Sequence, residues 1–186
     1  MRVFVLGTGR CGTTTFIRAC EHLHDFTSGH ETRGRSIGDE RLDYPDQHIE
    51  ADNRLSWMLG PLGERFDGTD VLYVHLRRRR GEVIDSFARR WDSPHRTNIL
   101  KAFAHGIIMR PSDWPDDRVL DVCAYYVDVV TSNIEVFLRG RRAMEMWLHE
   151  LPETFVDFVD AIGGTGDIDR ACAELAVRHN ASPADL

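Results

Sequence analysis

Residues 7–14, Gly-Thr-Gly-Arg-Cys-Gly-Thr-Thr, have the composition of an anion cradle. Glycines let consecutive backbone N–H groups turn inward, and a helix starting directly behind them adds partial positive charge. The flanks agree. Val3, Phe4, Val5 and Leu6 form a continuous apolar run, as in a strand buried on both faces. Past Gly12, the spacing of Phe16, Ile17, Cys20 and Leu23 is helical. The loop nearly fits the nucleotide-binding pattern G-x-x-x-x-G-K-[ST], but Thr13 stands where the lysine for a terminal phosphate belongs. The chain has one lysine, Lys101, far from this loop, and the loop's only cation is Arg10. The loop is suited to an anion held otherwise than in an ATPase.

A second basic element follows the apolar run at 70–76, which leads straight into Arg77-Arg-Arg-Arg80. Alone, such a run is a solvated or salt-bridged surface. Ser86, however, lies eight residues after Arg78, inside the next helical pattern. A guanidinium fork and a serine hydroxyl can share one phosphate. Polar pairs at two other strand exits, His30-Glu31 and Asp52-Asn53, offer proton acceptors. Their competing roles are a cap or surface ion pair for the first and a helix start at Asn53 for the second. Cys11 within an anion loop suggests a phosphatase nucleophile. The spacing argues against it, because that chemistry wants Cys-x5-Arg and Arg18 lies seven positions on.

Elements that position these residues alternate between strand and helix. Strands are expected at 25–28, ending at Gly29-His30-Glu31, at 47–51, at 70–76 and at 142–148. Residues 32–46 are polar and are expected as a surface loop. Helices are expected from Asn53 to a stop near Gly60-Pro61, at 81–91 ending at Ser93-Pro94, at 96–110, from Leu120 to Phe137, from Pro152 onward and at 167–178. Residues 111–117 are expected as a turn. Along the fourth of these helices, Leu120, Cys123, Val127, Val130, Ile134 and Phe137 alternate spacings of three and four. The four tryptophans, Trp57, Trp91, Trp114 and Trp147, are expected in the core. This order predicts an α/β fold of three layers, a central parallel β-sheet flanked by helices. Ligands of such sheets bind beyond the carboxyl ends of the strands.

With its two elements in place, the chain resembles the PAPS-dependent sulfotransferases, whose fold is P-loop-like. Residues 7–14 look like their 5′-phosphosulfate loop. Arg78 with Ser86 resembles their 3′-phosphate element, and the strand at 143–148 leading into Pro152 resembles their late strand and helix. The tail Arg178-His-Asn180 is similar to chain ends of small bacterial members. The resemblance implies sulfuryl transfer from PAPS to a hydroxyl or amine, leaving PAP, without a metal. Gly9, Arg10, Cys11, Gly12, Thr13, Thr14, Arg78 and Ser86 would hold the donor, with Arg10 also meeting charge in the reaction. Glu31 is the first candidate for the general base, since the family places a Glu or His after its second strand. His30 is next and Asp52 third, with Asp52 and Asn53 on the acceptor side. The chain departs from the family in having Arg79-Arg80 where many members have Asp-Pro, and in lacking long cap segments. The alternatives are a sulfotransferase-like module that holds PAP or PAPS without transfer, and a P-loop kinase lacking its lysine.

Composition bounds these readings. The chain has 186 residues, 42% hydrophobic and 28% charged, the size and make-up of a single globular domain. Its net charge of −7, from 23 basic and 30 acidic residues, argues against non-specific nucleic-acid binding. No apolar segment reaches the ~20 residues of a membrane span. A core strand beginning at residue 2 or 3 is no signal peptide, so the expected location is cytoplasmic. Four cysteines without a C-x-x-C pair are expected reduced and free of zinc. The acceptor is expected to be a small molecule, a glycan or a lipid head group.

Overall fold

A computed structural model describes residues 1–92, 99–109 and 118–177. Five strands form one parallel sheet in the order β2-β3-β1-β4-β5. They are β1 (Arg2–Leu6), β2 (Thr27–His30), β3 (His48–Ala51), β4 (Val71–Arg77) and β5 (Ala143–Trp147). The helices are α1 (Thr13–Cys20), α2 (Leu59–Arg65), α3 (Arg80–Ala88), α4 (Ile99–Ala102), α5 (Val119–Phe137), α6 (Leu151–Ile162) and α7 (Ile168–Leu175). The architecture is α/β, a central parallel sheet flanked by helices, as the alternating pattern predicts.

β1 shows why the sheet needs both layers. Val3 and Val5 enter the core shared with α1, α6 and α7. Phe4 and Leu6 enter the opposite core, with residues of α3 and α5. All four are fully buried. The first layer is aromatic at its centre, where Phe16 of α1 meets Phe158 edge-on at 5.1 Å. Residue pairs Leu6↔His75 and Val5↔Ala51 bring the carboxyl ends of β4 and β3 level with that of β1. The chain leaves β1 toward the α1 layer, whereas it leaves β3 and β4 toward the other layer. The exit of β1 is therefore a topological switch point, where a crevice opens.

Several expected boundaries shift for local reasons. β2 starts at Thr27, because Asp25 instead anchors a turn by accepting from Thr165 N–H and hydroxyl at 2.8 and 2.6 Å. The polar stretch 32–46 is not wholly surface. A 3₁₀ turn at Gly38–Leu42 buries Arg41 and Leu42, and Tyr44 is buried just beyond it. The helix expected from Asn53 is a 3₁₀ turn, Asn53–Trp57, capped by Asp52, which accepts from Arg54 N–H. α2 then runs through Gly60-Pro61 instead of stopping there. Pro61 lies in its first turn, where a missing N–H costs no helical bond. Residues Phe103–Ile107 form a π-helix. Leu120 is exposed at the start of α5, and among the tryptophans Trp91 is buried while Trp57 is exposed. The expected helix end at Ser93-Pro94, part of the 96–110 helix, the 111–117 turn, Trp114, the last residue of the 167–178 helix and the 178–180 tail lie outside the described residues. Among the described residues no helix is long and apolar enough to cross a membrane.

His75, near the end of β4, is 4% exposed. Burial, with Arg77 adding repulsion, pushes its imidazole down to about 4 from 6.5. The unfolded chain takes up this proton near pH 6.5, and the folded protein refuses it until about pH 4. The stability that the neutral ring contributes is complete above pH 6.5 and falls as pH drops through that window. Urea unfolding between pH 7 and 4 should show a loss of roughly 3 kcal/mol that is absent in His75→Gln, at about 1.4 kcal/mol per pKa unit. A parallel pH dependence in both proteins would refute the assignment.

Candidate functional site

The glycine loop bridges β1 and α1 with three left-handed residues, Gly9 (φ 82°), Arg10 (φ 61°) and Gly12 (φ 95°). Gly9 and Gly12 suit that backbone, and both are also crowded. A Cβ on Gly9 would lie 3.0 Å from Asn53 Nδ2, and one on Gly12 would collide with the Leu148 side chain. Arg10 has no such freedom, and a non-glycine residue there costs on the order of 1–3 kcal/mol. The loop's carbonyls are tied from outside. Ser56 Oγ donates to Gly7 O at 3.2 Å, and Tyr126 OH donates to Thr8 O at 3.0 Å. Behind the loop, α1 has no side-chain cap and no acidic residue in its first turn. The positive end of its dipole thus points into the loop without a carboxylate to offset it.

Arg78 and Ser86 meet this loop. Arg10 Nε donates to the fully buried Ser86 Oγ at 3.0 Å. Arg78 Nη1 donates to Arg10 O at 3.4 Å, while its Nε holds Glu82 at 2.7 Å. The other three arginines of the run are salt-bridged. Arg77 meets Glu145 at 2.7 Å and Glu135 at 3.2 Å. Arg79 meets Glu82 at 3.6 Å, and Arg80 forms a two-pronged pair with Asp128, both contacts at 2.7 Å. Arg79 and Arg80, standing where many sulfotransferases have Asp-Pro, thus have acidic partners of their own.

On the β2 side, His30 Nε2 lies 3.0 Å from Thr13 Oγ1. Glu31 follows with a left-handed backbone (φ 59°), and its carboxylate meets Arg54 Nη2 at 3.1 Å. Both line an open cavity of about 620 Å³ that also includes Thr14. Cys11 is buried, and desolvation pushes its thiol up to about 11, so it is no thiolate nucleophile at neutral pH. Asn53 packs on Gly9. Among the described residues no cluster of His, Cys, Asp and Glu could hold a metal ion.

Asp52 is placed differently. It is fully buried, and two arginines engage it. Arg41 Nη2 meets Oδ2 at 2.6 Å, and Arg54 meets Oδ1 through its N–H and Nε at 2.8 and 2.9 Å. Arg54 thereby spans from Asp52 to Glu31, pressed against Gly34, whose carbonyl accepts from Nη1 at 3.4 Å. Arg41 comes from a stretch expected on the surface, and no pattern in the sequence marks it. Asp52→Ala strands buried Arg41, and breaking a buried pair costs about 3–5 kcal/mol. Urea unfolding should show that loss, and a cost under about 1 kcal/mol, the scale of an exposed pair, would refute the structural role.

No family model and no curated protein matches the chain. Among solved structures, it is similar to a mouse sulfotransferase, SULT7A1, complexed with PAP, at 14% identity and a TM-score of 0.53. The match covers 94% of this chain and 62% of that one, so the chain spans under two thirds of the mouse protein's length. At such identity the likeness is one of fold, and it extends over nearly all of this chain.

Proposed function

We propose that the protein is a sulfotransferase that moves a sulfuryl group from 3′-phosphoadenosine 5′-phosphosulfate (PAPS) to an acceptor hydroxyl or amine, leaving PAP. The observation that carries this reading is the junction of Arg10, Ser86 and Arg78. The donor bears phosphate at two ends, so recognising it takes two anion grips close enough for one molecule. The likeness in fold to a sulfotransferase complexed with PAP supports the same reading.

The donor supplies an activated sulfuryl group, and the protein supplies alignment and charge. Backbone amides of residues 10–14 and the uncapped end of α1 hold the 5′-phosphate. Arg10 and the Thr13 and Thr14 hydroxyls meet the negative charge that grows there as the S–O bond breaks. Arg78 and Ser86 hold the 3′-phosphate, so binding energy remote from the reaction fixes the in-line geometry. Glu31 takes the acceptor proton, oriented by Arg54. His30 aligns the Thr13 hydroxyl and is the second candidate for the base. Positive charge from Arg10, Arg78 and the amides makes a metal unnecessary. A second reading, a module that holds PAP without transfer, is favoured by the prior engagement of Glu31 by Arg54 and of His30 by Thr13.

A ligand that binds only the folded state raises the melting temperature. PAP should raise it more than ATP does, with or without magnesium. Magnesium-dependent ATP binding that outcompetes PAP would overturn the donor assignment. Arg10→Ala and Arg78→Ala should each weaken PAP by roughly 10–100-fold, the loss of a charge-assisted hydrogen bond. Glu31→Gln should keep PAP affinity and lower turnover by about 10²–10⁴-fold. Turnover kept in Glu31→Gln but lost in His30→Ala would move the base to His30. PAP binding by wild type without transfer to any acceptor would establish the module.

A further inference from the structure

The cavity beside the loop has a lining that discriminates between acceptor classes. It lies between the outer face of α1 and the carboxyl end of β2, and at about 620 Å³ it falls within the roughly 300–1,000 Å³ of ligand sites. α1 and its C-cap contribute Thr14, Arg18 and Glu21, and the β2 end contributes Ser28, His30 and Glu31. Ile17 is the one apolar side chain that the described residues add to this wall. Arg18 and Glu21 pair with each other at 3.2 Å across exposed positions, so both polar heads are at the surface.

Thr14 and His30 connect this cavity to the glycine loop, where His30 bonds to Thr13. A second open cavity, of about 650 Å³, is more apolar. Ile37, Leu42, Met58 and Pro61 line its apolar part, beside charged groups such as Glu64 and Arg65, and neither the glycine loop nor His30 and Glu31 reaches it. The wall next to the reacting end therefore carries hydroxyl, carboxylate, guanidinium and imidazole groups. Such a wall matches a ligand with a donor or acceptor on most of its carbons. A flat hydrocarbon ring meets only Ile17 as apolar surface there and strips water from the charged side chains around it, which costs binding.

We infer that this cavity is the acceptor subsite and that it takes a saccharide, a polyhydroxylated ring with room for more than one sugar unit, rather than a phenol or a sterol. The inference rests on the sulfotransferase reading above. The acceptor hydroxyl loses its proton to Glu31 as its oxygen bonds to sulfur, and the S–O bond to the 5′-phosphate breaks, leaving PAP and a sulfate ester.

A glycan array probed with labelled full-length protein, with and without PAP, tests the subsite apart from turnover. Calorimetry with chitobiose, lactose and 2-naphthol accompanies it. Wild type should retain glycans and ignore 2-naphthol. Arg18→Ala/Glu21→Ala, at the exposed C-terminal end of α1, should weaken glycan binding about tenfold or more, as loss of charged hydrogen-bond partners predicts. Its PAP-induced melting shift should be unchanged. Ser28→Phe, which fills the same space from β2, should do likewise. PAP binding with no glycan retained, or with glycans retained equally by both variants, would overturn the subsite and leave the donor assignment standing. Glycans retained through these residues by a protein that ignores PAP would overturn the donor assignment and keep the saccharide subsite. Tight 2-naphthol binding lost in Ser28→Phe would overturn the acceptor class.

Discussion

One hydrogen bond, from Arg10 Nε to Ser86 Oγ, joins two stretches of chain that lie 76 residues apart. It exists only because β1 and β4 are neighbours in register, so that the loop after one and the helix after the other leave the sheet side by side. Arg10 holds a left-handed backbone in making it. Strain of that kind persists where surrounding contacts over-determine the conformation. Those contacts are visible here: Arg78 on the Arg10 carbonyl, Tyr126 on Thr8 and Ser56 on Gly7. Each comes from a different element, so the loop's shape is a property of the assembled sheet and its helices.

Charge is distributed by the same logic. The chain is acidic, with a net charge of −7, yet arginines gather at the carboxyl ends of the strands. Most are neutralised in place. Arg77 has Glu135 and Glu145, Arg79 has Glu82, and Arg80 has Asp128, whose carboxyl it holds below the usual range. Arg78 shares Glu82 but turns another nitrogen toward the loop. On the far side, the buried Asp52 binds Arg41 and Arg54 and so aims Arg54 at Glu31. A carboxylate removed from water requires such partners, because an unmatched buried charge is costly.

Much of this was legible from residue order. The run from Val3 to Leu6 declared a strand covered on both faces, and Val3 and Phe4 do enter opposite cores. The glycines announced a tight loop, and residues 123–134 announced the buried stripe of α5. The misreadings share a cause. Pro61 looked like a stop because its tolerance in a first turn depends on where the helix begins. Asn53 looked like a cap because the true cap, Asp52, is chosen by burial and by arginines from two directions. Arg41 looked like a surface residue because its partner belongs to another element. Arg54 stood two residues from Asp52, but its reach to Glu31 requires β2 beside β3.

Residue order alone accounts for the alternation of strand and helix, the glycine loop and the spacing of Arg78 and Ser86. Those are local properties, set by periodicity, backbone freedom and side-chain chemistry within about a dozen residues. The tertiary structure alone decided which arginines face the loop and which are consumed in pairs. It also decided that Asp52 is a buried anchor, that Glu31 leans on Arg54, and that a polar cavity lies beside α1. Each of these depends on strand order, because a charge finds its partner through space, and strand order sets which parts of the chain share that space.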